Sequence, residues 1–278
     1  MLQVRHRLSF FYVERGTLAV IDACLVLADG VNGARFEVPA RATTVIMIGP
    51  GTSVTTEAVR LAAAYGVQLI WTGEHGVRCY SAGRAWTELS RWLERQVTLW
   101  SDPVSRLGVA RKMFGMRFHD SVERRSLEQL RGIEGARVRE FYKQAATAFG
   151  IRWTGRRYPG GGPSSDFDAP NRALNVANTC LYGIAEVAVQ ALGASPGLGF
   201  IHSGSAVAFV LDVADLYKTE LAIPACFGLV SRKAPDGEPW ATLESDVRRL
   251  MRDEFREGKL VERIVADVEK LLDAGDSG

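Results

Sequence analysis

The chain reads as an α+β protein. A small N-terminal β-rich domain with one helix, residues 1–84, precedes a larger C-terminal all-α domain, residues 85–278. Three observations predict this. Short runs of β-branched and aromatic residues, punctuated by Gly, Asn and Asp, fill the first eighty residues. Beyond about Trp86 the apolar spacing turns helical almost to the end. Between the two regimes, 82–90 reads as a hinge.

In order, LSFFYV, TLAVID, CLVLAD, ARFEV and TTVIMI read as strands, with ERG and DGVNG as turns between them. TTEAVRLAAAYG fits the single helix, with threonines at its start and Gly66 as its stop. VQLIWTG and GVRCYSAG read as two more strands. From ELSRWLERQVTLW onward the pattern is helical, broken mostly by Gly/Pro clusters. PGGGPSSDFDAP, 159–170, is too rich in Gly, Pro and Ser for regular structure and reads as a mobile surface loop. KLVERIVADVEKLLDAG closes the pattern as an amphipathic packing helix.

The composition, 278 residues and 47% hydrophobic with mean hydropathy near zero, suits a soluble globular protein. No uncharged apolar run reaches the ~18 residues of a membrane span, and MLQVRHRLSFFYVERG lacks the apolar core of a signal peptide, so a cytoplasmic protein without membrane association is expected. Cys24, Cys79, Cys180 and Cys226 lie far apart among apolar neighbours and read as buried free thiols. The net charge is only +2, but residues 106–157 hold 13 Lys/Arg against 5 Asp/Glu, so the remainder is net acidic. Such a block suits phosphates, or equally a solvated helix face.

HSGSAVAFVLDVADLYK, 202–218, sets His202 ten residues before Asp212, with Asp215 and Lys218 following at intervals of three in an apolar run. On a helix that spacing shares a face. Carboxylates buried without partners are expensive, and a metal neutralising both would relieve the conflict. Carboxylates with one imidazole suit magnesium or manganese; zinc is disfavoured, since neither HExxH nor paired cysteines occur. Glu134 lies between Gly132 and Gly135, with Arg131 and Arg137 a turn to either side; two helical glycines there suit a close approach by another backbone or a nucleic-acid strand, or a flexible exposed helix. Tyr182 shares a face with Asn178 and reads as a core residue with its hydroxyl tied to a neighbour.

RGIEG, GFIHSG and DVADLYK, together with RKMFGMRF, RRSLEQLRGIEGARVR, TGRRY, CLYG and IWTGEHGVR, follow one another as in a known family. Over nearly the whole chain, from about Leu8 to about Gly275, the sequence resembles the CRISPR-associated adaptation integrases, in the form found with type I-E systems. The resemblance implies a β domain that mediates dimerisation and a helical domain with the metal site. It implies Glu134, His202 and Asp215 as ligands of Mg2+ or Mn2+, Asp212 as a supporting acid, and Arg78, Tyr182 and Lys218 around bound nucleic acid. Arg60, Arg131, Arg137, Arg156 and Arg157 complete the arginines expected against DNA. One departure is Arg15 before Gly16, where the type I-E form carries a tyrosine that stacks at the fork of the duplex; a guanidinium also stacks on bases.

The implied reaction is transesterification, the 3′-hydroxyl of a captured DNA fragment attacking a phosphodiester of the CRISPR repeat. Lys218 and Arg78 would stabilise charge there, and the basic block would grip the duplex backbone without reading sequence. The implied assembly is a homodimer, two of which are bridged by a dimer of the small CRISPR adaptation partner. A metal-dependent nuclease with water as nucleophile needs the same residues and stays open beside it.

Overall fold

In the computed structural model, which describes residues 10–30, 33–83, 90–118, 125–158, 167–233 and 242–273, the first part of the chain forms two four-stranded sheets. The strands are β1 (Phe10–Val13), β2 (Gly16–Ile21), β3 (Cys24–Asp29), β4 (Arg35–Val38), β5 (Val45–Ile48), β6 (Thr52–Val54), β7 (Gln68–Thr72) and β8 (Cys79–Ala82). One sheet runs β1-β5-β7-β8, parallel across its first three strands and antiparallel at β8; the other runs β4-β3-β2-β6. The expected strands are all present. To them the structure adds β6, three residues that pair in parallel with β2 from Gly16↔Thr52 to Leu18↔Val54.

Helix α1 (Thr56–Ala64) starts where Thr55 accepts the Ala58 N–H at 3.2 Å, and Gly66 follows it in the left-handed region at φ +70°. The run VIMI of β5 is buried on both faces, as a central parallel strand should be. Alternation divides it. Val45 and Met47, with Ile70, join the core shared with the helices, whereas Ile46 and Ile48, with Leu69, join a second core under α1 and the other sheet. The β-rich region thus keeps a core of its own and adds Val45, Met47, Ile70 and Val77 to the helical one. Residues 84–89 of the expected hinge lie outside the described residues.

The helices are α2 (Arg91–Ser101), α3 (Pro103–Phe118), α4 (Leu127–Ala148), α5 (Ala169–Ala191), α6 (Ala208–Asp215), α7 (Ile223–Lys233), α8 (Leu243–Glu257) and α9 (Leu260–Asp273). In α5, 16 of 23 residues are buried, so it is the central helix, and the polar residues Arg172, Asn175, Thr179, Tyr182, Glu186 and Gln190 form one less buried stripe along it; it packs on α6, α7, α8, α9 and β8. The expected loop 159–170 is shorter than its composition suggests. Residues 159–166 lie outside the described residues, but Ala169 and Pro170 already belong to α5, because Asp168 caps the Asn171 N–H at 3.0 Å and proline suits a first turn.

Helix α4 runs unbroken through Gly132 and Gly135 from a capping box at Ser126 and Gln129. A Cβ at Gly132 would meet nothing within 4 Å and one at Gly135 only the Arg139 side chain of the same helix, so among the described residues no other segment makes the close approach that the glycines suggested. The cysteines are free, but only Cys180 and Cys226 are buried; Cys24 and Cys79 are half-buried. Among the described residues no helix is long and apolar enough to cross a membrane.

Candidate functional site

The loop that carries His202 is held from both sides. Its N–H groups at Phe200, Ile201 and His202 all donate to the Asp212 carboxylate, at 2.6, 2.9 and 2.9 Å. Its carbonyls are taken by long side chains: Trp100 Nε1 and Arg106 Nη2 donate to Gly199 O at 3.0 and 3.1 Å, Arg106 Nε to Phe200 O at 3.3 Å, and Arg131 to Ile201 O. Gly199 is required here, since a Cβ would sit 2.6 Å from His202 O and 2.8 Å from the Ala208 backbone.

This corrects the reading of Asp212 and Asp215 as a pair needing a shared metal. Asp212 is 1% exposed and already satisfied by backbone donors and by His202 Nδ1 at 2.6 Å. With Nδ1–H given to Asp212, the neutral imidazole keeps Nε2 as its free lone pair. The Asp212 hydrogen bond raises the pKa of His202 above its ordinary value; burial opposes this, Asp215 adds to it and Lys218 subtracts.

Asp215 ends α6, and the chain widens into a π-helical turn, Lys218–Ala222. Lys218 turns back to form an ion pair with Asp215, donates to Tyr182 Oη at 2.8 Å, and lies 4.7 Å from the centroid of the Tyr182 ring. Burial pulls the Lys218 pKa down, but Asp215 and Tyr182 outweigh it, so the ammonium stays charged with its pKa raised. The turn itself is pinned by Tyr217, which is 1% exposed and donates to Asp267 of α9 at 2.7 Å.

The residue that sequence reading missed is Arg117, at the end of α3. Its side chain is 7% exposed, forms an ion pair with Glu134 of α4, and reaches Asp215 at 3.7 Å. RKMFGMRF held the signal, an arginine within an apolar helical run, but its charge was counted with the basic block. In kind, two carboxylates and an imidazole nitrogen fit a hard divalent cation. In place, the two carboxylates already meet at one cation, the guanidinium; among the described residues no three His, Cys, Asp or Glu side chains are gathered closely enough to hold a metal ion.

The expected DNA-facing residues divide. Arg78 packs its backbone, with the Val77 carbonyl, against Gly183 of α5, the residue after Tyr182, and its Nε is buried. Arg131 is engaged with the His202 loop, and Arg156 donates to Asn171 and Asn175 at 3.1 and 2.7 Å and lies over the Tyr158 ring. Arg137 lies over Phe118, and Arg157 is exposed, its backbone N–H donating to Asn171. Arg60 is elsewhere, on the exposed face of α1 with Glu57, and Arg15 lies at the β1–β2 turn against Gly30 and Gly51. Much of the basic block is therefore occupied internally, by Arg106, Arg111, Arg117, Arg131 and Arg156.

A family model described as "CRISPR associated protein Cas1" matches residues 116–260, a span that takes in Arg117, Glu134, Tyr182, His202, Asp212, Asp215 and Lys218. The chain is 42% identical over 275 residues to the "CRISPR-associated endonuclease Cas1" of Geobacter sulfurreducens, covering 99% of this chain and 87% of that one. It is 40% identical over 279 residues to the protein of the same description in Escherichia coli K12, covering 99% and 88%. Its structure is similar to one described as "Crystal structure of TtCas1-DNA complex", with a TM-score of 0.87 at 37% identity, over 97% of this chain and 98% of that chain.

Proposed function

Because the chain belongs to the Cas1 family of CRISPR-associated proteins, we propose that it is a DNA-processing enzyme of CRISPR adaptation, which joins the 3′-hydroxyl ends of captured spacer DNA to the CRISPR repeat. The observation that carries this reading is the meeting of Glu134 and Asp215, 81 positions apart, at one buried cation, with Lys218 beside them and His202 within electrostatic reach of Asp215. So concentrated a set of charges, drawn from α3, α4, α6, the π-helical turn and the His202 loop, is the pattern of a functional site.

Glu134, Asp215 and His202 Nε2 are the groups that would hold Mg2+ or Mn2+. Such an ion supplies the charge that makes a hydroxyl a competent nucleophile at neutral pH and offsets the charge growing on the phosphoryl oxygens. Asp212 fixes the tautomer and direction of His202. Lys218, held charged by Asp215 and oriented by Tyr182, is poised to donate to a phosphoryl oxygen; Arg78 approaches along α5 from the β-rich region. In the joining step the attacking 3′-hydroxyl loses its proton as its oxygen forms the new P–O bond, the scissile P–O3′ bond breaks, and the departing 3′-oxygen takes up a proton, so one phosphodiester replaces another. Double-stranded DNA is the substrate, and Arg157, exposed in the block, would extend its backbone contacts. The type I-E-like form, the homodimer and the small bridging partner belong to the same proposal, on the strength of the sequence resemblance.

A second reading, hydrolysis of DNA by the same residues, is favoured by the description of the curated relatives as endonucleases. Incubation with a supercoiled repeat plasmid and a short labelled duplex separates the two. Label joined to the plasmid in magnesium, abolished by EDTA and by Asp215→Ala, is the expected result; cut plasmid without joined label would sustain hydrolysis instead. Joining by Asp215→Ala at the parent rate would remove the site from the reaction.

A further inference from the structure

Glu134 and Asp215 do not face each other unpaired. The guanidinium of Arg117 reaches both, from a side chain 7% exposed, while the carboxylates are 20% and 15% exposed. The pairing is incomplete on the arginine side: its Nε is buried without a hydrogen-bond partner, and Phe118 covers the group at 5.1 Å from its ring centroid. A buried donor left unpaired is destabilising, so this guanidinium is held by the two carboxylates without being fully satisfied by them. It is also the group that lies where the charges of α3, α4 and α6 intersect.

We propose that Arg117 is the resident counter-cation of the site: in the metal-free protein it holds Glu134 and Asp215 side by side, and a divalent cation must displace it to reach them. The inference rests on the reading of Glu134 and Asp215 as metal ligands. Its physical basis is competition. Lys218 already holds one oxygen of Asp215, and Arg117 is the cation that reaches both carboxylates; a divalent ion bridging Glu134 and Asp215 needs the place the guanidinium takes, and the like charges repel at that range. Arg117 is therefore a positioning residue, preventing the carboxylates from repelling each other apart and setting a threshold that the metal must exceed.

The test is Mn2+ binding to the full chain without DNA, measured by electron paramagnetic resonance of the free ion, alongside the melting temperature in EDTA. Arg117→Met and Arg117→Gln are expected to bind Mn2+ about tenfold more tightly than the parent, since losing one charge-assisted competitor is worth about that factor. Both should melt lower than the parent in EDTA and recover with Mn2+. Arg117→Lys, which reaches fewer acceptors, should fall between. If Arg117→Met does not fold, Arg117→Gln and Arg117→Lys carry the same comparison. Parent-like Mn2+ affinity in the folded Arg117 variants, with Glu134→Ala binding poorly, overturns the counter-cation role and leaves the metal reading intact. Absence of Mn2+ binding in the parent and in every Arg117 variant overturns both.

Discussion

His202 and Asp212 are joined twice: the imidazole Nδ1 lies 2.6 Å from Oδ1, and the His202 backbone N–H donates to that same oxygen at 2.9 Å. One buried carboxylate thereby fixes both the path of the loop and the direction of the ring. Asp212→Asn keeps the shape but turns one acceptor into a donor facing N–H groups. It is expected to lower stability by about 3 kcal/mol, the range for a buried charge-assisted network broken on one side. A urea midpoint that falls with an unchanged m-value would show this; an unmoved midpoint would mean the loop is held by the Trp100, Arg106 and Arg131 contacts alone.

The same pair gives a pH dependence. The folded pKa of His202 is raised above its ordinary 6.5, chiefly by the hydrogen bond to Asp212 and against burial. The stabilisation from the charged pair is therefore fully present below the unfolded pKa and is lost as pH rises through the higher folded value. In EDTA the stability difference between the parent and His202→Asn should be largest in mildly acid buffer and shrink toward alkaline pH. A difference that grows with pH would reverse the sign. With Mn2+ present the trend opposes this, since only the neutral ring ligates.

Tyr182 presents two things to Lys218, an oxygen at 2.8 Å and a ring face. Tyr182→Phe removes the first and keeps the second. The fold should change by about 1 kcal/mol or less, while the joining rate falls about tenfold as Lys218 loses its direction. Equal losses in DNA affinity and in rate would make Tyr182 a binding contact rather than an orienting one.

Gly183 lies one residue further along α5, where a Cβ would be 2.6 Å from Val77 O and 2.7 Å from Arg78 Cα. Gly183→Ala gains helix propensity but must push the β8 approach away, so a net loss of about 1–3 kcal/mol is expected from overpacking. Thermal denaturation measures it, and an unchanged melting temperature would show that the β-rich region yields to α5 without cost.

The elements legible in the sequence were those whose pattern is local. VIMI and the cap at Thr55 announce their strand and helix without reference to anything distant. β6 was not legible, because a three-residue strand owes its existence to a parallel partner some 36 positions earlier. The motifs containing Glu134, His202 and Asp215 were readable as motifs. The service of Asp212 to three backbone N–H groups was not, since a backbone donor has no residue letter. Charge counting failed at Arg106, Arg117 and Arg131 for a related reason: a sum over a segment does not distinguish a guanidinium facing solvent from one spent on a carbonyl or a carboxylate.

Helix α5 buries 16 of its 23 residues, and its coverings α6 to α9 all come after it in the chain. During synthesis it leaves the ribosome before they exist, with only the earlier strands and helices to shield it. The last of those coverings, α9, supplies Asp267, which locks Tyr217 and with it the turn that presents Lys218. A nascent chain can therefore own most of its scaffold and still lack a fixed ammonium, so the capacity to process DNA matures only as translation reaches α9.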